Sequence, residues 1–147
     1  MRIVLDTNVL VSGLLTPFGA PAQIVRMVAS GHLVVCYDAR VLTEYDDVLR
    51  RPKFDFSETE VAALLDQIEG EGNTLATVPL ETALPDRDDE PFLEIAIAAN
   101  AQSPDDNVPL VTGNTKHYPK ERCQGVAVVS PRFFVDHYSV STDESYE

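Results

Sequence analysis

The chain has 147 residues, 24 of them acidic against 11 basic for a formal charge of −13, and 44% of it is hydrophobic. That length suits one domain with a single sizeable core. A formal charge this negative ordinarily argues against a nucleic-acid partner, and two cysteines without CxxC spacing suggest neither a disulfide framework nor a thiolate zinc site. No stretch approaches the roughly 18 continuous apolar residues of a membrane span, and the N-terminus lacks the charged-then-apolar layout of a signal peptide. The expectation is a cytoplasmic protein with no membrane partner.

Residues 2–8 open the chain with an apolar run, Ile3 to Leu5, that ends in Asp6, Thr7 and Asn8. A buried strand ending in an acid places that acid where open α/β sheets bind ligands. Val9 to Leu15 continues as the start of a helix, and Pro21 opens a second one over Ile24, Val25 and Val28 that Gly31 closes. Leu33 to Tyr37 reads as a buried strand with Cys36 in its core, whereas Cys123 falls in a polar loop. Val41, Leu42, Tyr45, Val48 and Leu49 carry the period of an amphipathic helix ended by Pro52. Ser57 and Glu60 form a capping box ahead of Val61, Leu64, Leu65 and Ile68, with Gly70 and Gly72 as the stop. A short strand is predicted at Leu75 to Val78, an apolar helix over residues 92–101, strands at Leu110 to Thr112 and Val126 to Val129, and a last helix from Pro131. Strands alternating with helices predict a three-layer α/β/α sandwich with a mostly parallel central sheet.

Within those elements some polar residues sit where apolar ones are expected. Glu44 lies three residues after Val41 and four before Val48, beside the core-facing stripe. Pro91 suits the first turn of a helix and leaves Asp88, Asp89 and Glu90 at its N-terminus, where capping competes with any other role. Glu94 is the one polar residue between Phe92 and Ala99, so its carboxylate must find a cation, a metal or a proton. The run Leu110 to Thr112, followed by Gly113 and Asn114, repeats the pattern of the first strand, and a parallel sheet puts Thr112 and Asn114 on the same edge as Asp6. Hard oxygen donors without His or Cys favour Mg²⁺ or Mn²⁺ over zinc. Charge is also unevenly spread: residues 81–110 hold eight acids against Arg87 alone, while 111–130 hold Lys116, Lys120 and Arg122 against Glu121 alone. An acidic pocket beside a basic segment is what a metal-dependent enzyme acting on phosphates needs.

Asp6-Thr7-Asn8-Val9-Leu10, Glu44, the stretch Asp88 to Leu93 leading into an alanine-rich helix, and Val111-Thr112-Gly113-Asn114 with His117-Tyr118-Pro119 behind it together resemble the PIN domain. Within that family the likeness is to bacterial, VapC-like toxin components of toxin–antitoxin pairs. It covers residues 1–138 as one PIN-like domain, leaving 139–147 as an acidic C-terminal tail expected to be disordered. The resemblance implies a Mg²⁺- or Mn²⁺-dependent endoribonuclease whose partners are an RNA substrate, a small antitoxin protein and, in a homodimer, a second copy of the chain. Asp6 and Glu44 match the family's metal-binding acids directly. The third acid falls on Asp89 or Glu94, and both stay open. The fourth position usually carries Asp; here it is Asn114, whose amide can hold a water but adds no charge. Asn8 and Thr112 would support the site, and Lys116, His117 and Lys120 would touch the RNA backbone, with His117 equally readable as a turn residue. A non-catalytic PIN-like domain that binds RNA or a protein is the alternative. A phosphatase of the haloacid dehalogenase type also begins with a strand ending in Asp, but it needs a second Asp where this chain has Asn8.

Overall fold

Ile3, Val4 and Leu5 are each fully buried although successive strand residues point to opposite faces, so the first strand is covered on both sides. In the computed structural model of the chain, which describes residues 1–138, that strand is β1 (Arg2–Leu5) and lies at the centre of a five-stranded sheet. Residues 139–147, the expected tail, lie outside the described residues. The chain continues through α1 (Thr7–Leu15), α2 (Ala20–Ala29), β2 (Val34–Tyr37), α3 (Ala39–Leu49), α4 (Glu58–Glu71), β3 (Asn73–Thr74), α5 (Glu90–Gln102), β4 (Leu110–Val111), β5 (Val128–Val129) and α6 (Pro131–His137). The strand order is β3-β2-β1-β4-β5, and every pairing is parallel. Helices flank this sheet as a three-layer α/β fold, with α5 packed on β1, β2 and β4.

β2 and β3 extend the sheet on one side of β1, and β4 and β5 on the other. The order therefore reverses between β1 and β4, and the crevice beyond their C-terminal ends is the ligand position of a doubly wound sheet.

Local signals hold at most boundaries. The Ser57 hydroxyl accepts from Glu60 N at 3.2 Å, as the capping box requires, and Pro91 and Pro131 stand in the first turns of α5 and α6. Gly70 does not stop α4, which runs to Glu71 and ends at Gly72. A Cβ on Gly72 would lie 2.2 Å from Ile68 O and 2.8 Å from Val35 O, so the chain turns there in tight contact with β2. Consequently β3 pairs immediately after the turn, at Asn73–Thr74 instead of the predicted Leu75 to Val78, and Leu75 N makes the next bond to Tyr37 O at 3.0 Å. Cys36 is in the core as expected; Cys123, expected in a polar loop, is buried with its Sγ 3.3 Å from Pro119 O. Among the described residues no single helix is long and apolar enough to cross a membrane.

Candidate active site

Asp6 leaves β1 with its N–H bonded to Val111 O at 3.0 Å and occupies the N-cap position of α1, so its carboxylate is delivered into the crevice between β1 and β4. It is 6% exposed. Thr112, one residue past β4, donates its hydroxyl to Asp6 Oδ2 at 2.8 Å, and the Tyr118 hydroxyl approaches the same oxygen at 3.4 Å. Burial pushes the Asp6 pKa up, against the pull of the Thr112 hydroxyl and the backbone N–H groups of Asn8 and Thr7.

Glu44 comes from α3. That helix starts at Asp38, which accepts from Val41 N at 3.1 Å, and buries Val41, Tyr45 and Leu49. The Tyr45 hydroxyl donates to Leu5 O at 2.6 Å and pins the helix beside the end of β1. Glu44, next to this anchor, is half-buried and accepts the Thr7 hydroxyl. Burial raises its pKa, the Thr7 bond opposes this, and the nearby charges of Asp6 and Asp88 raise it further.

Asp89 ends a 3₁₀ turn, Arg87–Asp89, that leads into α5. Its side chain caps no backbone N–H. That task falls to Asp86, which accepts from Asp88 N at 2.9 Å, while Glu90 accepts from Leu84 N at 3.0 Å. Asp89 is thus free to face the crevice, where burial first, and then the charges of Asp6 and Asp86, push its pKa up to about 6. His117 opposes that rise with Nδ1 at 3.1 Å from Asp89 Oδ2.

Asp6, Glu44, Asp88 and Asp89 line one cavity of about 540 Å³, with Arg40 and Arg51 as the cations in its wall. Beside it, ligand atoms of Asp86, Asp89 and His117 lie within 4.8 Å of one another, close enough to share a metal ion. Glu94 is not in that cavity. Its Oε1 is 2.9 Å from the Arg40 guanidinium and its Oε2 accepts from Leu80 N at 3.3 Å, so the cation this buried acid needed is an arginine on α3. Asn114 is exposed at the rim; its N–H donates to Thr112 Oγ1 at 3.0 Å, and its side chain caps nothing in the adjoining turn. Asn8 Oδ1 accepts from Gly113 N at 3.2 Å and ties the start of α1 to the exit of β4. Lys116 and Lys120 are exposed in the 3₁₀ turns Thr115–His117 and Lys120–Arg122, outside the cavity wall.

Sequence reasoning missed the hydroxyls of Thr7 and Tyr118, the carboxylate of Asp86 and the two cavity arginines. For Arg40 a signal existed: it stands four residues before Glu44 on α3, on the same side of the helix. Nothing local announces that Tyr118 turns inward.

The PIN domain family matches residues 2–116, a segment that includes most of the chain and every residue lining the cavity. The chain belongs to the PIN domain family. PIN domains are generally nucleases that use divalent metal ions, and this PIN domain brings acids and a histidine together where one could bind. His117 and Tyr118 lie beyond the matched segment, so their part in the site stands on geometry alone. A comparison with curated proteins finds no match.

Proposed function

We propose that this PIN domain is a Mg²⁺- or Mn²⁺-dependent endoribonuclease, the toxin of a toxin–antitoxin pair, working on RNA in the cytoplasm. The observation that carries the reading is the meeting of Asp6, Glu44 and Asp89, each with a raised pKa, in one cavity at the switch point of the sheet. Burial drives all three carboxylates toward protonation, and the Asp6 charge adds to this at Glu44 and Asp89; a cation relieves them, and their oxygens suit a hard one. Asp6, Glu44 and Asp89 would hold it. Bound there, the ion would polarise the scissile phosphoryl group and lower the pKa of an attacking water.

The remaining groups have definable tasks. Thr112 and Tyr118 orient Asp6, and Thr7 orients Glu44, so neither carboxylate is free to rotate when substrate enters. Arg40 and Arg51 offset the charge of the incoming phosphates in a pocket that is otherwise acidic. Glu94 fixes Arg40 in this wall.

Cleavage of labelled RNA with Mn²⁺, compared between wild type and Asp6→Asn, tests the nuclease. Turnover that persists at full rate in Asp6→Asn, or that ignores chelation, would sink it. The toxin role is tested by expressing the chain in growing cells with and without a small protein encoded beside it. A second reading is favoured by Asn114: with an amide where the strand exit could have offered a carboxylate, the domain would bind RNA without cutting it. Tight RNA binding with no metal-dependent turnover would select that reading.

A further inference from the structure

We propose that Asp89, which lines the cavity with Asp6 and Glu44, also anchors a second cation position beside that cavity, where Asp86 and His117 complete the donor set, and that the imidazole makes this position select Mn²⁺ over Mg²⁺. The inference rests on the metal-dependent reading of the cavity and adds a neighbouring position with its own ion preference.

The three ligand atoms already lie within 4.8 Å of one another, a separation one ion can bridge without moving the backbone. Asp89 belongs to both groups. Buried at 8% exposure, it faces Asp6 and Glu44 across the cavity and meets His117 on its other side. Among the described residues no lysine or arginine forms an ion pair with Asp86 or Asp89, so two carboxylates and an imidazole face one another without another cation.

His117 is also held in place. Its N–H bonds Asn114 O at 2.9 Å, and the next residue, Tyr118, is buried with its hydroxyl on Asp6. The backbone that carries the ring is therefore fixed, and the ring itself is held by its Nδ1 contact with Asp89 at 3.1 Å. Asn114 offers the strand exit no charge, which leaves the imidazole as the donor beyond β4.

Mg²⁺ keeps an oxygen and water shell and gives up waters reluctantly, whereas imidazole suits the first-row transition ions. A site of oxygens alone discriminates weakly between Mg²⁺ and Mn²⁺; one nitrogen tilts it toward Mn²⁺. The competing account is a plain ion pair between protonated His117 and Asp89, with the metal on carboxylates only.

The test is calorimetric titration of the full chain with Mn²⁺ and with Mg²⁺ at pH 7.5, for wild type and His117→Asn. It is joined by proton NMR of the wild-type histidine rings with substoichiometric Mn²⁺. Wild type should bind Mn²⁺ at least about tenfold more tightly than Mg²⁺, and His117→Asn should lose most of that ratio through Mn²⁺ alone. The His117 ring signals should broaden before those of His32 and His137. An unchanged Mn²⁺ to Mg²⁺ ratio in His117→Asn, or broadening that spares His117, overturns the inference and leaves the carboxylate site standing. Absence of binding by either ion overturns the metal-dependent reading as well.

Discussion

The hydroxyl of Thr112 donates to Asp6 Oδ2 at 2.8 Å, joining residues 106 positions apart at the ends of the two strands where the sheet order reverses. Thr112 is fully buried and its oxygen also accepts from Asn114 N, so one side chain orients the acid and shapes the loop behind it. Thr112→Val keeps the shape and removes both bonds. It should cost about 1–3 kcal/mol of stability in denaturant unfolding, because the buried Asp6 carboxyl loses its Thr112 partner and Asn114 N loses an acceptor. Mn²⁺-induced stabilisation should shrink with it. A variant as stable as wild type would show that the bond does not hold the acid.

Asp89 carries a pH signature. Its pKa rises from the ordinary 3.8 to about 6 on folding, so the folded metal-free protein holds an extra proton between those values. Stability from this group is therefore highest below the unfolded value and falls as pH rises through 6. Asp89→Asn should raise the metal-free stability at pH 7.5 by on the order of 1 kcal/mol, after allowance for solvent screening, and should flatten the curve between pH 4 and 6. With saturating Mn²⁺ the order should reverse, because the wild type gains a ligand that the variant cannot hold. Melting scans across pH, with and without metal, read both effects.

Glu94→Gln separates the two acids that the sequence left open. With its carboxylate on Arg40 and outside the cavity, the variant should lose about 1 kcal/mol of stability and keep the Mn²⁺-induced rise in melting temperature. Asp6→Asn in the same assay should lose that rise. Equal loss in both variants would bring Glu94 into the metal site.

Asn114→Asp adds a charge at the rim while keeping the backbone bonds of the turn. If the site is short of a ligand, Mn²⁺ should bind more tightly, by about tenfold, and RNA cleavage at saturating metal should quicken. Unchanged calorimetric affinity would confine Asn114 to the turn.

For RNA, the two banks of the site make different predictions. Arg51 lines the cavity, whereas Lys116 and Lys120 stand outside its wall. Arg51→Gln should weaken binding of a single-stranded oligonucleotide and lower the salt slope by about 0.7, measured by anisotropy in a non-cleaving buffer. A larger effect from Lys116→Gln with Lys120→Gln would route the strand past the exit of β4 instead.

The α/β class followed from the sequence because each element advertises its own period. Ile3 to Leu5 is a run short enough for a strand, and Val41, Tyr45 and Leu49 recur at helical spacing; the structure buries all of them. Asp6 was legible for the same reason: a charge that ends an apolar strand has only the sheet edge to occupy. Glu44 was legible from its place beside a stripe. The choice between Asp89 and Glu94 was not, since α5 is apolar on nearly every face and offers no wet side from which to read direction. Only the packing of α3 beside α5 supplied Arg40 to Glu94, and only the tertiary structure shows Asp89 making no cap bond and lining the cavity with Asp6. The inward turn of Tyr118, the bond from Thr7 to Glu44, the approach of Asp86 to His117 and the burial of Cys123 are likewise tertiary. Periodicity records which residues avoid water, but contacts between distant segments depend on how those segments pack, and no local pattern encodes that.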